Sequence, residues 1–254
     1  MKKVYSFVLL GCLLCLGLSE LQAATLHAIL VINDQDPIIK DGCAKDKENM
    51  TKYLRRMARS YSNLPPKIKI LEGRSFQRTK VLQALSSLQT QEDDVVVFYF
   101  SGHGLWSDDK GFLLEMTENQ HIKFEDINAL LDQKLARLKL LLTDCCKKEV
   151  STRGTSPDLV IPVDNPIIDN NFKWLLSCSG TLVATSCEKN QESFTDTGGS
   201  YFTLAFLQAI SYYVENNIPD WVGIAEKAKW NTRLMAQQKL RIQTPVIELK
   251  IKNP

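Results

Sequence analysis

Apolar residues in this chain gather into two kinds of run, and the kinds alternate. Leu26–Ile32 (LHAILVI), Val95–Phe100 (VVVFYF), Leu138–Thr143 and Gly180–Cys187 (GTLVATSC) are short and nearly continuous. Such runs predict strands of a parallel sheet, the unbroken Val95–Phe100 being buried on both faces. Lys67–Leu71 (KIKIL) and Val246–Ile251 (VIELKI) alternate apolar with polar residues, as half-exposed strands do, the second of them of edge type. Between the strands lie stretches with helical spacing. In Cys43–Ser60 the apolar positions are Met50, Tyr53, Leu54 and Met57, and in Thr79–Leu88 they are Val81, Leu82, Leu85 and Leu88. Phe124–Gln133, Tyr201–Tyr213 and Pro219–Lys239 read the same way, while Gly111–Glu115 reads as a short hairpin arm. Lys147–Asn171 holds three prolines and few periodic apolar residues, so it is expected to be a long loop. Strand and helix alternating at this spacing imply βαβ units, with right-handed crossovers placing helices on both faces of one mostly parallel sheet.

The length, 254 residues, suits one α/β domain behind a short leader. The leader is Lys2-Lys3, the apolar stretch Val4–Leu18, and Leu21-Gln22-Ala23, the pattern of a signal peptide cut after Ala23. Val4–Leu18 is short for a membrane span, so no stable span is expected once the leader is removed. A lipoprotein reading through Leu10-Gly11-Cys12 is weaker, because that cysteine lies inside the apolar run. The expectation is therefore an exported protein, periplasmic or secreted. Net charge is +2, and one of those charges leaves with residues 1–23 (Lys2 and Lys3 against Glu20). No basic block stands out, which argues against a nucleic-acid partner. Cys43, Cys145, Cys146, Cys178 and Cys187 remain after cleavage, an odd number, with no zinc-type spacing among them.

The candidate chemistry sits at the ends of two strands. Val95–Phe100 runs into Ser101-Gly102-His103-Gly104, and Leu138–Thr143 runs into Asp144-Cys145-Cys146. Open α/β sheets place their sites at the carboxyl ends of strands. A histidine and a cysteine there are the minimum for thiol nucleophilic catalysis. Glycines beside the histidine allow close approach of a substrate backbone and expose a peptide N–H. The N–H groups of Gly104 and Cys146 are the expected oxyanion donors. Residues two apart on a strand face the same way, so Asp144 and Cys146 are expected to share a pocket while Cys145 faces away. A carboxylate beside the nucleophile favours a cationic substrate group, Arg or Lys. Each piece alone is ordinary: a histidine after a strand is commonly structural, and adjacent buried cysteines commonly just fill space. Their joint occurrence at two strand ends carries the reading.

At these residues the sequence resembles the caspase-like cysteine peptidases, and within them the metacaspases. Asp41-Gly42-Cys43-Ala44-Lys45-Asp46 followed by Asn49-Met50 is similar to the family's G-C-x-x-D-A-x-x-M stretch. Ser101-Gly102-His103-Gly104 is similar to S-G-H-G, Asp144-Cys145-Cys146 to D-x-C, and Gln243-Thr244-Pro245 to Q-T-P. Gly180–Cys187 with Ser200–Ile210 looks like the family's small-subunit half. The matches run in order across roughly residues 26–251. The resemblance implies a three-layer sandwich around a six-stranded sheet, with a large-subunit-like part at about 24–150, a loop at about 147–178 and a small-subunit-like part at about 179–254. It implies a dyad of His103 and Cys146, and an acidic S1 pocket of Asp46, Asp144 and nearby Ser101. Protein or peptide substrates with Arg or Lys at the cleavage position would follow.

The departures are local. Lys147-Lys148-Glu149 stands where the family commonly has His-Ser-Gly. Many metacaspases bind calcium, but Asp108, Asp109, Glu115, Glu125 and Asp126 do not align with such a cluster, so no metal or other cofactor is expected. Lys147, Lys148 and Arg153 are candidate self-cleavage sites. A vicinal Cys145–Cys146 disulfide and a Cys178–Cys187 pair both stay open, since export to an oxidising compartment sets a catalytic thiol against its surroundings. Two other readings remain: a caspase-fold binding or effector protein with a silent site, and a different Cys–His hydrolase or transferase. The last leaves Asp46 and Asp144 without a role.

Overall fold

The continuous apolar runs form the middle of a six-stranded sheet. The computed structural model describes residues 24–62, 65–145, 159, 161–196 and 198–254. In chain order the elements are β1 (Leu26–Ile32), α1 (Lys40–Ser62), β2 (Lys67–Leu71), α2 (Arg78–Ser86), β3 (Val95–Gly102), β4 (Gly104–Ser107), β5 (Gly111–Glu115), β6 (His121–Lys123), α3 (Phe124–Asp132) and β7 (Leu138–Cys145). They continue with α4 (Pro166–Ser177), β8 (Ser179–Thr185), β9 (Thr195–Asp196), β10 (Gly199–Ser200), α5 (Tyr201–Glu215), α6 (Trp221–Gln237) and β11 (Val246–Lys252). The sheet order is β11-β8-β7-β3-β1-β2, and only β11 runs antiparallel to its neighbour.

Strand β3 shows why its sequence has no visible alternation. Val95, Val97 and Tyr99 pack into the core beneath α1, α4, α5 and α6. Val96, Phe98 and Phe100 pack into the opposite core, beneath α2 and α3. Both faces are apolar, so the period of two is hidden in the letters and present in the structure. The same parity sets the strand ends. Ser101 continues the Tyr99 face, and Asp144 continues the Leu140–Leu142 face, where α1 lies. Cys145 belongs to the other core, next to the Leu141 face.

Two regions differ from the sequence expectation. The expected loop Lys147–Asn171 contains the start of helix α4. Asn165 caps it by accepting from the Ile167 N–H at 2.8 Å, Pro166 opens it, and Ile168, Phe172, Leu175 and Leu176 fill the core. Residues 146–158 of that loop lie outside the described residues. The single hairpin arm expected at Gly111–Glu115 is the middle strand of a three-stranded antiparallel sheet, β4-β5-β6.

Strand β8 begins with a backbone that excludes side chains. Gly180 has φ +123°, and a Cβ there would lie 1.9 Å from the Lys250 carbonyl oxygen of β11. Neither the torsion nor the β-ladder can yield cheaply. Gly180→Ala is expected to lower stability by about 3 kcal/mol or more, read as a reduced urea midpoint.

Candidate active site

Three parallel strands end together and deliver the expected residues to one place. Ile32 of β1 pairs with Ser101 of β3, and Ser101 pairs with Asp144 of β7. The last paired residues of β3 and β7 are Gly102 and Cys145. Their successors in the chain are His103 and Cys146; Cys146 lies outside the described residues. The Asn33 N–H donates to the Ser101 carbonyl at 2.9 Å and holds the turn after β1 beside β3.

Helix α1 supplies Asp46. Cys43, Asp46 and Met50 recur at helical spacing on the face turned to the sheet, so this carboxyl is carried inward with the apolar residues. Asp46 is 0% exposed and Asp144 3%. Neutral donors meet both. Asp46 Oδ2 accepts from Ser101 Oγ at 2.8 Å and Ser200 Oγ at 2.5 Å, and Oδ1 from the Ser200 N–H at 2.7 Å. Asp144 Oδ1 accepts from Ser193 Oγ at 2.6 Å, and Oδ2 from the Thr203 N–H at 2.9 Å and Thr203 Oγ1 at 2.7 Å. The expected trio Asp46, Ser101 and Asp144 is therefore brought together. Ser193, Ser200 and Thr203 join it; sequence reading passed over them because isolated hydroxyls in a loop and at a helix start carry no signal.

Burial raises the Asp46 carboxyl from 3.8 to about 7; the nearby Asp144 charge adds to this, against the pull of the serine donors. Burial raises Asp144 as well, against its hydroxyl and amide donors. The consequence for stability has a definite sign. The unfolded chain releases the Asp46 proton near pH 4, while the native state holds it to about pH 7. Between those values the native state binds more protons, so its stability falls as pH rises. Asp46→Asn is expected to flatten the decline of the melting temperature between pH 5 and pH 8. An unchanged slope would show that Asp46 ionises as it does in water.

A cleft of about 20 Å³ lies over these residues, lined among others by Ser101, His103, Ser193, Phe194 and Thr195. That is room for about one water molecule. The β9–β10 hairpin closes it from above α1. A Cβ on Gly42 would stand 2.0 Å from Thr195 Oγ1, and one on Gly199 (φ +120°) would stand 2.7 Å from Asp46 Oδ1. Gln243 fastens the preceding loop. Its Oε1 accepts from the Phe194 N–H at 3.1 Å, and its Nε2 donates to the Ser186 carbonyl at 3.0 Å and to Ser193 Oγ at 3.1 Å. The Gln243-Thr244-Pro245 motif thus holds the loop that carries a pocket serine.

His103 is partly exposed, and its carbonyl accepts the Glu115 N–H at 3.0 Å. Gly104 pairs with Leu114, and that bond makes the pair a non-hydrogen-bonded one. The Gly104 N–H therefore points away from β5, as an oxyanion donor requires. Cys43, Cys145, Cys178 and Cys187 are all buried. Burial pushes the Cys43 thiol up, and the Cys178 thiol up to about 11, which suits neither to act as a nucleophile. Asp108 pairs with Lys189 at 2.8 Å and Glu115 with His121 at 3.5 Å. Among the described residues no group of three or more His, Cys, Asp or Glu side chains is arranged to hold a metal.

The sequence matches the family model of the caspase domain, peptidase C14, over residues 27–249, and the chain belongs to that family. It carries a caspase-like peptidase domain, which supports cysteine-peptidase chemistry on protein substrates. The fold is similar to that of caspase-1 from Spodoptera frugiperda, with TM-score 0.59, 16% identity, and 89% of this chain covering 86% of that one. Protein GSU0716 from Geobacter sulfurreducens gives TM-score 0.49 at 15% identity, with 89% and 92% covered. No curated protein matches the sequence. Among the described residues no helix is long and apolar enough to cross a membrane.

Proposed function

We propose that the chain is an exported, metacaspase-like cysteine endopeptidase that cleaves after Arg or Lys. The observation that carries the reading is the pair of buried acids: Asp144 lines the cleft with His103, and Asp46 sits behind it, bonded to the lining residues Ser101 and Ser200. Two buried acids without a cation are costly, and a basic side chain offsets that cost. Cys146 is the nucleophile and His103 its proton partner. The thiolate attacks the scissile carbonyl, the N–H groups of Gly104 and Cys146 receive the oxyanion, and the imidazole protonates the departing amine. Water then hydrolyses the thioester. The closed cleft must widen to admit Arg or Lys.

A thiol-reactive probe ended in Arg tests this reading on the chain from residue 24 onward, under reductant. One label per chain, on Cys146, is expected. A chain that takes no label while folded is the silent binding protein instead, a reading that Lys147-Lys148-Glu149 would then explain. Cleavage at Lys147, Lys148 or Arg153 during expression, absent in Cys146→Ala, would further support the basic preference.

A further inference from the structure

His103 has a carboxylate partner that neither the motif nor the family resemblance supplied. Asp36 Oδ2 lies 3.2 Å from His103 Nε2, and both side chains are partly exposed. The carboxylate is held from behind. Its Oδ1 accepts the Ile38 N–H at 2.8 Å and the Ile39 N–H at 3.4 Å, and its own carbonyl accepts the Lys40 N–H at 2.9 Å as α1 begins. Asn33 Oδ1 accepts the N–H groups of Gln35 at 3.3 Å and Asp36 at 3.2 Å, which fixes the turn itself. One oxygen is thus occupied by backbone donors and the other is left to the imidazole. Burial alone would raise the Asp36 carboxyl. The Ile38 N–H and His103 outweigh it and hold the group below the usual aspartate value, so it is a carboxylate at neutral pH.

We propose that Asp36 is a positioning residue for the reaction proposed above. It fixes the His103 ring with the proton on Nε2 and leaves Nδ1 to exchange a proton with the thiol. A neutral imidazole carries its proton on one nitrogen, and the partner of the other nitrogen decides which. A carboxylate can only accept, so it selects the Nε2–H tautomer. Once the ring is protonated, the same carboxylate faces the new charge and steadies the thiolate–imidazolium state. The inference rests on the peptidase reading for its kinetic consequence, but not for the tautomer.

Asp36→Asn is the informative variant. Asparagine keeps an oxygen for the Ile38 N–H and turns an NH₂ toward Nε2, which reverses the tautomer while leaving the cap in place. With ¹⁵N-labelled histidine at alkaline pH, wild-type His103 is expected as the Nε2–H form and the variant as mainly Nδ1–H. On an Arg-ended reporter, kcat is expected to fall about tenfold or more with KM within about twofold, as for partners that orient a catalytic group. Asp36→Glu, which restores an acceptor-only group, is expected to recover part of kcat. The same tautomer in wild type and Asp36→Asn, or a loss confined to KM, overturns the proposal. Should Asp36→Asn fail to fold, a wild-type His103 found in the Nδ1–H form would overturn it equally. A wild type that cleaves nothing yet shows the Nε2–H form would contradict the peptidase reading and leave the Asp36–His103 link standing.

Discussion

Cys146→Ala is expected to abolish cleavage of an Arg- or Lys-ended reporter, a loss of about 10³-fold or more, while Cys145→Ala keeps most of the activity. The contrast follows from strand parity. Cys145 ends β7 with its side chain in the core beneath α2 and α3, on the face away from Asp46 and Asp144. Its backbone has a structural task, since the Cys145 N–H donates to Ser186 Oγ at 3.1 Å and its carbonyl accepts from that hydroxyl at 2.9 Å; alanine preserves both bonds. Removing the sulfur leaves a small void costing about 1 kcal/mol of stability and no chemistry. On the proposed mechanism, removing the Cys146 thiol removes the covalent intermediate. His103→Ala is expected to follow Cys146→Ala in direction, by about 10²-fold or more. Equal losses in Cys145→Ala and Cys146→Ala would show that the strand-end parity has been misassigned.

The second large effect is expected in the acidic pocket. Asp144→Asn should lower kcat/KM for an Arg-ended reporter by about 10²-fold or more, because a bound cation would be left buried without its counter-charge. A Gln-ended reporter, already a poor substrate, should lose much less. The ratio of the two is therefore the informative number, and it separates loss of charge from damage to the pocket. Ser193 and Thr203 hold the Asp144 carboxyl, so its position is fixed by donors that an amide oxygen can also satisfy in part. pH supplies an independent check. Burial raises the Asp46 carboxyl to about 7, so a basic side chain bound beside it as proposed would displace its proton at lower pH. The KM for an Arg-ended reporter is expected to rise as pH falls from 8 to 6, and Asp46→Asn should lose that rise along with its affinity.

The strand ends were legible because the sheet forces them to be. Val95–Phe100 must be buried on both faces to be so uniformly apolar, and Ser101–Gly104 must then emerge at the sheet's carboxyl edge. Asp144 and Cys145 follow by parity, and the structure gives them opposite faces. Helix α4 was hidden by its own start. Asn165-Pro166 reads as a loop until Ile168, Phe172 and Leu175 are placed on one helical face, and a proline is tolerated at the first helical position. Asp46 was legible through the family resemblance alone, although its position between Cys43 and Met50 places it on the inward face of α1. Asp36 was not, because nothing local distinguishes it from any turn carboxylate; only the pairing of β1 with β3 brings it to His103. The hydroxyls of Ser193, Ser200 and Thr203 were illegible for the same reason.

The most direct test is the cleavage profile of the chain from residue 24 onward against reporter peptides varied over every residue at the cleavage position, under reductant. Cleavage confined to Arg and Lys, lost in Cys146→Ala, is the expected result. Cleavage after Asp or after apolar residues, or none at all in a folded chain whose Cys146 is reduced, would contradict a cysteine peptidase built around Asp46 and Asp144.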